Sequence, residues 1–340
     1  TGTGYSSSGS ITATGQAVTI TTTTTSTGSG IYDTGTITGG AVALISNKTS
    51  ATATLVHIAA TGLITANSLT VTTSGGLSAT LVSLGAITIN AGGGNITVNA
   101  MADTATTGTD VGIYQTGAIT NNAVGSNISF VTNNVINQLG AISLVANTGS
   151  PAANVVYDTT SGTKAANISS GALTFTTGTG SVINYIAKSA GSAIATGSIG
   201  TSNAPLPGYV TIDNTYGCSP SCTPATGFIT NANASTYATA SDGVKIANAI
   251  YSVKYISIKG VSTTASGVTY SAAINSSESG LAIYGTSLGA ASTGYGIYGS
   301  NAAGVVSAAG LVEMYGTATA STGTADAIKT VASATITGNA

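Results

Sequence analysis

The sequence predicts an all-β fold, a parallel β-helix or β-solenoid. Three observations carry that expectation. A short unit of alternating apolar and polar residues, led by a small residue with Gly or Asn, recurs along the 340 residues. Ile, Val and Thr dominate it; they are β-branched and suit a pleated surface, while glycines turn the corners. The same residue types return at the same place in the unit, which favours stacking of like on like.

The clearest statement is Gly85 to Ala100, where Gly85-Ala86-Ile87-Thr88-Ile89-Asn90 is followed, after a glycine turn, by Gly94-Asn95-Ile96-Thr97-Val98-Asn99. Alternation puts Ile87, Ile89, Ile96 and Val98 on one face and Thr88 and Thr97 on the other. So short a unit cannot bury its own apolar face and needs copies above and below. Before it come Ala17-Val18-Thr19-Ile20-Thr21 and Gly30-Ile31-Tyr32, which returns as Gly112-Ile113-Tyr114, 82 residues on. At about 20 residues per coil that offset is about four coils. Further copies are Leu69-Thr70-Val71-Thr72, Asn127-Ile128-Ser129-Phe130-Val131, Gly140-Ala141-Ile142-Ser143 and Gly171-Ala172-Leu173-Thr174. At about 20–25 residues per coil the chain would hold about fifteen coils over roughly 70 Å.

Residues 1–202 read as solenoid. Residues 203–226 read as a loop insertion, because they hold Pro205, Pro207, Pro220 and Pro224 and both cysteines, and proline removes a ladder donor. Residues 227–340 resume the solenoid with apolar-polar-apolar-polar-Gly units: Ile256 to Gly260, Leu281 to Gly285, Val312 to Gly316 and Ala334 to Gly338, with the shorter Gly296 to Gly299 beside them. Val244 to Ile250 fits neither a strand nor a helix period cleanly and is read as strand. The competing architecture is an antiparallel sandwich, in which Ala86–Asn90 and Asn95–Asn99 would form a hairpin. Most units recur singly, which favours the solenoid.

Charged residues are 5% of the chain, with seven Lys, no Arg, nine acids and a net charge of −2. Phosphate contacts need clustered cations, so no nucleic-acid partner is expected. No apolar run approaches the ~18 residues of a spanning helix, and no direct membrane insertion is expected. A chain that starts at Thr1 and ends in the repeat reads as a processed protein or a piece of a longer one.

The Gly-x-Ile-Thr-Ile/Val units, in a Thr-, Gly-, Asn- and Ala-rich chain, resemble the repeat regions of filamentous-haemagglutinin-like bacterial exoproteins. The resemblance covers about 1–202 and, less clearly, 240–340; the family's amino-terminal secretion domain is not recognisable. It implies a right-handed parallel β-helix in a large secreted or surface adhesin, with an adhesive or structural role outside the cell or on its surface.

Candidate chemistry is sparse. Cys218-Ser219-Pro220-Ser221-Cys222 lacks further thiols, and the one histidine, His57, is distant in sequence. A disulfide between Cys218 and Cys222 in an oxidising compartment is therefore expected rather than a metal site. No acids pair closely in sequence, and a groove with basic residues is missing, so no catalytic residues, metal or cofactor are expected. Tyr32, Tyr114, Tyr284, Tyr298 and Tyr315 each follow an inward residue and should face outward, where they would stack on glycan rings, on a neighbouring fibre or on one another. Thr-x-Thr pairs, such as Thr19/Thr21 and Thr70/Thr72, suggest an ice-binding face. That face is interrupted where the equivalent positions read Ser129, Ser143 or Asn99. Open solenoid ends are unpaired strand edges that template further stacking. The expectation is thus a stiff rod or fibre subunit that assembles end to end with itself. A monomeric glycan- or ice-binding module is the alternative.

Overall fold

The computed structural model describes residues 4–25, 28–48, 58–75, 80–101, 111–146, 152–160, 167–177, 182–189, 193–215, 242–262, 265–288, 294–301, 303–318, 326–330 and 335–338. Among these the chain is all-β, with no helix, and its parallel strands stack as a β-solenoid. It divides into two compact units: Thr1–Ala166 with Ser170–Ile183, and Asn167–Ser169 with Asn184–Ala340.

In the first unit each coil gives one strand to each of three sheets. The first sheet stacks Tyr5–Ser7, Ile31–Asp33, Ile58–Ala60, Thr80–Leu84, Val111–Gln115 and Val135–Gln138. The second stacks Ile11–Ala13, Ile37–Gly39, Ile64–Ala66, Ile87–Ile89, Ile119–Asn121, Ile142–Ala146 and Leu173–Thr177. The third stacks Val18–Thr24, Ala41–Lys48, Ser68–Ser74, Ile96–Ala100, Ile128–Thr132 and Ala153–Asp158. The stretch from Gly85 to Ala100 is therefore a corner and not a hairpin. Ile87 pairs with Ile64 and Ile119, and Ile96 pairs with Leu69 and Ile128, all in parallel. Gly92, at φ 76, carries the chain between the two sheets.

Register corrects the expected coil length. Tyr5 pairs with Ile31, Ile31 with Ile58, Ile58 with Val82, Val82 with Ile113, and Ile113 with Ile136. Coils thus take about 23 to 31 residues, and the step from Gly30-Ile31-Tyr32 to Gly112-Ile113-Tyr114 is three coils, not four. The expected fifteen coils are too many.

In the second unit the first sheet contains Ile194–Ala195, Val244–Ile246, Val268–Tyr270, Ile297–Gly299 and Ile328–Thr330. The second contains Ile250–Ser252, Ile274–Ser276, Val306–Ala308 and Ile336–Thr337, and the third Val210–Asp213, Ile256–Ser262, Leu281–Ser287 and Val312–Ala318. The ambiguous stretch from Val244 to Ile250 resolves into two strands of different sheets with a corner between them, which is why neither period fitted. Ile194 pairs with Val244, so this coil is the long one. Inside the stretch read as an insertion, Val210–Asp213 is a strand in register with Tyr185 and Ile256. Pro205 and Pro207 flank Leu206, which bridges Ser252, and both stay clear of that strand. Cys218 and Cys222 lie outside the described residues, as does His57.

The core is a set of like-on-like columns. Ile37, Ile64, Ile87, Ile119, Ile142 and Leu173 are all buried in one column of the second sheet. Burial of each such side chain contributes about 1.5–3 kcal/mol. Beside them Phe130 and Tyr157, from adjacent coils, stack at 5.4 Å. Gly9, Gly35, Gly62, Gly85, Gly117, Gly140 and Gly171 each stand two residues before this column. There the coils approach so closely that a Cβ on Gly62 would lie 1.7 Å from Gly35 O.

Candidate functional site

The candidate sites are surfaces and the first and last described coils of the stack. Each described carboxylate has a local partner. Asp33 accepts from Gly35 N at 2.9 Å, and Asp158 and Asp213 accept from the backbone N of Thr160 and Thr215 at 2.8 Å. Asp242 accepts from Ser266 N at 3.1 Å. Glu278 faces Lys254 at 3.7 Å and Asp326 faces Lys329 at 3.9 Å, while Tyr315 donates to Glu313 at 3.4 Å. Exposed pairs of this kind contribute at most about 1 kcal/mol. No group of three or more metal-ligating side chains occurs among the described residues.

Of the five tyrosines, Tyr284 and Tyr315 meet, and the other three fall at separate places. Tyr32 stands between Ser6 and Ala59, and Tyr114 between Ser83 and Asn137, so neither belongs to a tyrosine row. Both are exposed. In the second unit, register makes the outward column Lys188, Asp213, Lys259, Tyr284, Tyr315. Tyr284 and Tyr315 stack at 5.1 Å and 3°, and Lys259 Nζ lies 5.9 Å from the Tyr284 ring. One face of Tyr284 is therefore covered by a ring, and a cation lies near it as well. Burial, then the charges of Glu313 and Tyr315, pushes the Tyr284 phenol up. Tyr298 instead packs on Tyr295 at 4.8 Å, and Lys329 donates to the Tyr295 hydroxyl at 2.9 Å.

Thr-x-Thr on the third sheet is interrupted as expected: one outward column reads Thr19, Ala43, Thr70, Thr97, Ser129, Val156. The second sheet carries a column that the Thr-x-Thr spacing does not describe. In the first unit its outward column reads Thr12, Thr38, Thr65, Thr88, Thr120, Ser143, Thr174, a hydroxyl on each of those seven described strands. The signal was in the sequence as the residue after each Gly-x-Ile or Gly-x-Leu.

Polar ladders line some corners. Asn95 Oδ1 accepts from Asn127 N at 2.8 Å, and Asn127 Oδ1 from Asn154 N at 2.9 Å. Inside, Gln138 donates to Gln115 at 2.9 Å and accepts from the Tyr157 hydroxyl at 2.9 Å, so these buried amides are satisfied.

The first and last described coils differ from the rest. Ile328 pairs with Ile297 and Ile336 with Val306, whose side chains are fully buried. Ile328 and Ile336 occupy the same inward columns, yet they are 40% and 48% exposed, because no described strand stacks on them. At the other end Tyr5, Ile11 and Ile20 are only partly covered, although their register partners Ile31, Ile37 and Leu44 are buried. Comparison of the chain with protein-family models, with curated proteins and with solved structures found no match.

Proposed function

We propose that the chain is an extracellular structural and adhesive protein, a stiff β-solenoid subunit of a surface or matrix fibre that joins end to end with copies of itself. The observation that carries this reading is the like-on-like parallel stacking of the coils, with inward columns left partly exposed at the first and last described coils. Ile328 and Ile336 at one end, and Tyr5, Ile11 and Ile20 at the other, are apolar groups placed where each coil normally receives the next. Such strand edges also present unpaired backbone groups that favour a parallel partner. Head-to-tail contact of this kind is heterologous and generates open filaments. The low charge of 5% removes the repulsion that would keep copies apart. The repeat texture it shares with filamentous-haemagglutinin-like exoproteins points to the same surface role. The test is sedimentation of the full chain over a concentration series. Polymers should grow with concentration, and Ile328→Lys combined with Ile336→Lys should leave the chain monomeric. Concentration-independent monomers of the unaltered protein would overturn the reading.

The unbroken Thr/Ser column on the second sheet favours one second reading, a binding module for a regular surface such as ice. Replacing Thr65, Thr88 and Thr120 by Lys should then abolish any inhibition of ice recrystallisation. If the unaltered protein shows no inhibition, this reading is lost.

A further inference from the structure

The first hundred residues carry two formal charges, Asp33 and Lys48, and both point inward. Asp33 is served by the Gly35 N–H at 2.9 Å. Lys48 is 6% exposed, and its Nζ is buried without a hydrogen-bond partner. An ammonium in that position is costly unless something supplies an opposite charge. Burial pulls its pKa below the ordinary lysine range.

The third sheet brings two more unpartnered donors beside it. Thr24 is the register partner of Lys48 in the coil before, and Thr73 is the partner of Ser46 in the coil after. Ser46 and Lys48 are alternate residues of one strand, so all these side chains share the inward face. Thr24 Oγ1 and Thr73 Oγ1 are buried and, like Lys48 Nζ, have no partner. Neighbouring strands lie about 4.8 Å apart and alternate residues about 7 Å apart, so both hydroxyls are within reach of one lysine side chain. The position beyond Lys48 in the column is Gly75, at φ 75. Its backbone passes so closely that a Cβ there would lie 2.2 Å from Lys48 O. Glycine brings no side chain to that position.

We propose that Lys48, Thr24 and Thr73 form an internal site for one small monovalent anion of chloride size. One ammonium balances one negative charge, and two hydroxyls complete the donor set. A sulfate or phosphate would bring excess charge and more acceptor oxygens than these three groups can serve. A water molecule would satisfy hydrogen bonds but leave the charge uncompensated.

Bromide is the probe. Crystals of the full chain grown in sodium bromide should show an anomalous peak in contact with Lys48 Nζ and the two threonine hydroxyls. In solution, the unfolding equilibrium constant should fall about tenfold for each tenfold rise of bromide above its dissociation constant, relative to methanesulfonate at equal ionic strength. Lys48→Met and Thr24→Val should each weaken or remove that dependence. No peak at Lys48, a peak only at surface sites, or an undiminished bromide dependence in Lys48→Met would overturn the proposal. The anomalous map needs no variant, so a variant that fails to fold leaves the test standing.

Discussion

Gly62→Ala tests the close stacking of the coils. A Cβ on Gly62 would lie 1.7 Å from Gly35 O, 2.7 Å from Gly35 C and 2.9 Å from Thr34 O. All three are backbone atoms, so no side chain can swing aside. Opening the contact to about 3 Å means moving one coil by more than 1 Å. That movement strains the ladder bonds on either side, Thr61 N to Asp33 O at 3.0 Å and Ile37 N to Leu63 O at 2.9 Å. Overpacking costs about 1–3 kcal/mol and each weakened bond about 1 kcal/mol, so the expected loss is about 3–5 kcal/mol. Gly9 begins the same column, and its added Cβ would meet nothing within 4 Å. Gly9→Ala should therefore change stability by less than about 0.5 kcal/mol. Urea unfolding of dilute protein, followed by circular dichroism, measures both. Equal midpoints for Gly62→Ala and the unaltered chain would refute the close-stacking argument, as would equal damage from the two substitutions.

Other expected outcomes follow from the same geometry. Gly9→Ala, harmless to the isolated chain, should slow end-to-end assembly, because its methyl projects toward the position a second copy would occupy; turbidity kinetics would show it. Ile119→Ala, in the middle of a fully buried column, should cost about 2–5 kcal/mol in urea unfolding. Burial raises the Asp33 pKa, outweighing the Gly35 N–H that lowers it. A carboxyl whose folded pKa lies above its unfolded value costs stability as pH rises from about 3.8 through the folded value. Asp33→Asn keeps the acceptor for Gly35 N and should be the more stable protein at neutral pH, with the gap closing at acid pH, as paired unfolding curves would record. Tyr315→Ala removes the Tyr284 stack and should cost about 0.5–1.5 kcal/mol beyond the lost area, with no loss of glycan binding on an array.

The strands were legible because β-branched residues alternate cleanly in them. Ile87 and Ile89, and Ile96 and Val98, lie inward as the alternation required. Coil length was not legible, because it is set by corners whose Gly, Ser, Thr and Asn carry little periodic signal. The second sheet's strands are mostly three residues with one outward centre. Thr-x-Thr spacing therefore does not describe this sheet, where a single Thr or Ser after Gly-x-Ile faces outward; Ser143, expected to interrupt a threonine face, belongs to that hydroxyl column. Val210–Asp213 hid behind the neighbouring prolines. Lys48 reads as exposed by residue type, yet counting alternate positions from Val42 and Leu44 through Ser46 places it inside. The same count along the strand holding Ile113 finds Gln115.

End-to-end assembly as proposed would carry the coils on from one chain to the next. Electron microscopy of the concentrated full chain, at a resolution that separates strands, tests it most directly. The expected result is filaments with the strand spacing near ~4.8 Å running unbroken through the junction, where Ile328 and Ile336 are buried against the first coil of a second copy. Separate rods with Ile328 and Ile336 in solvent at every concentration would contradict it.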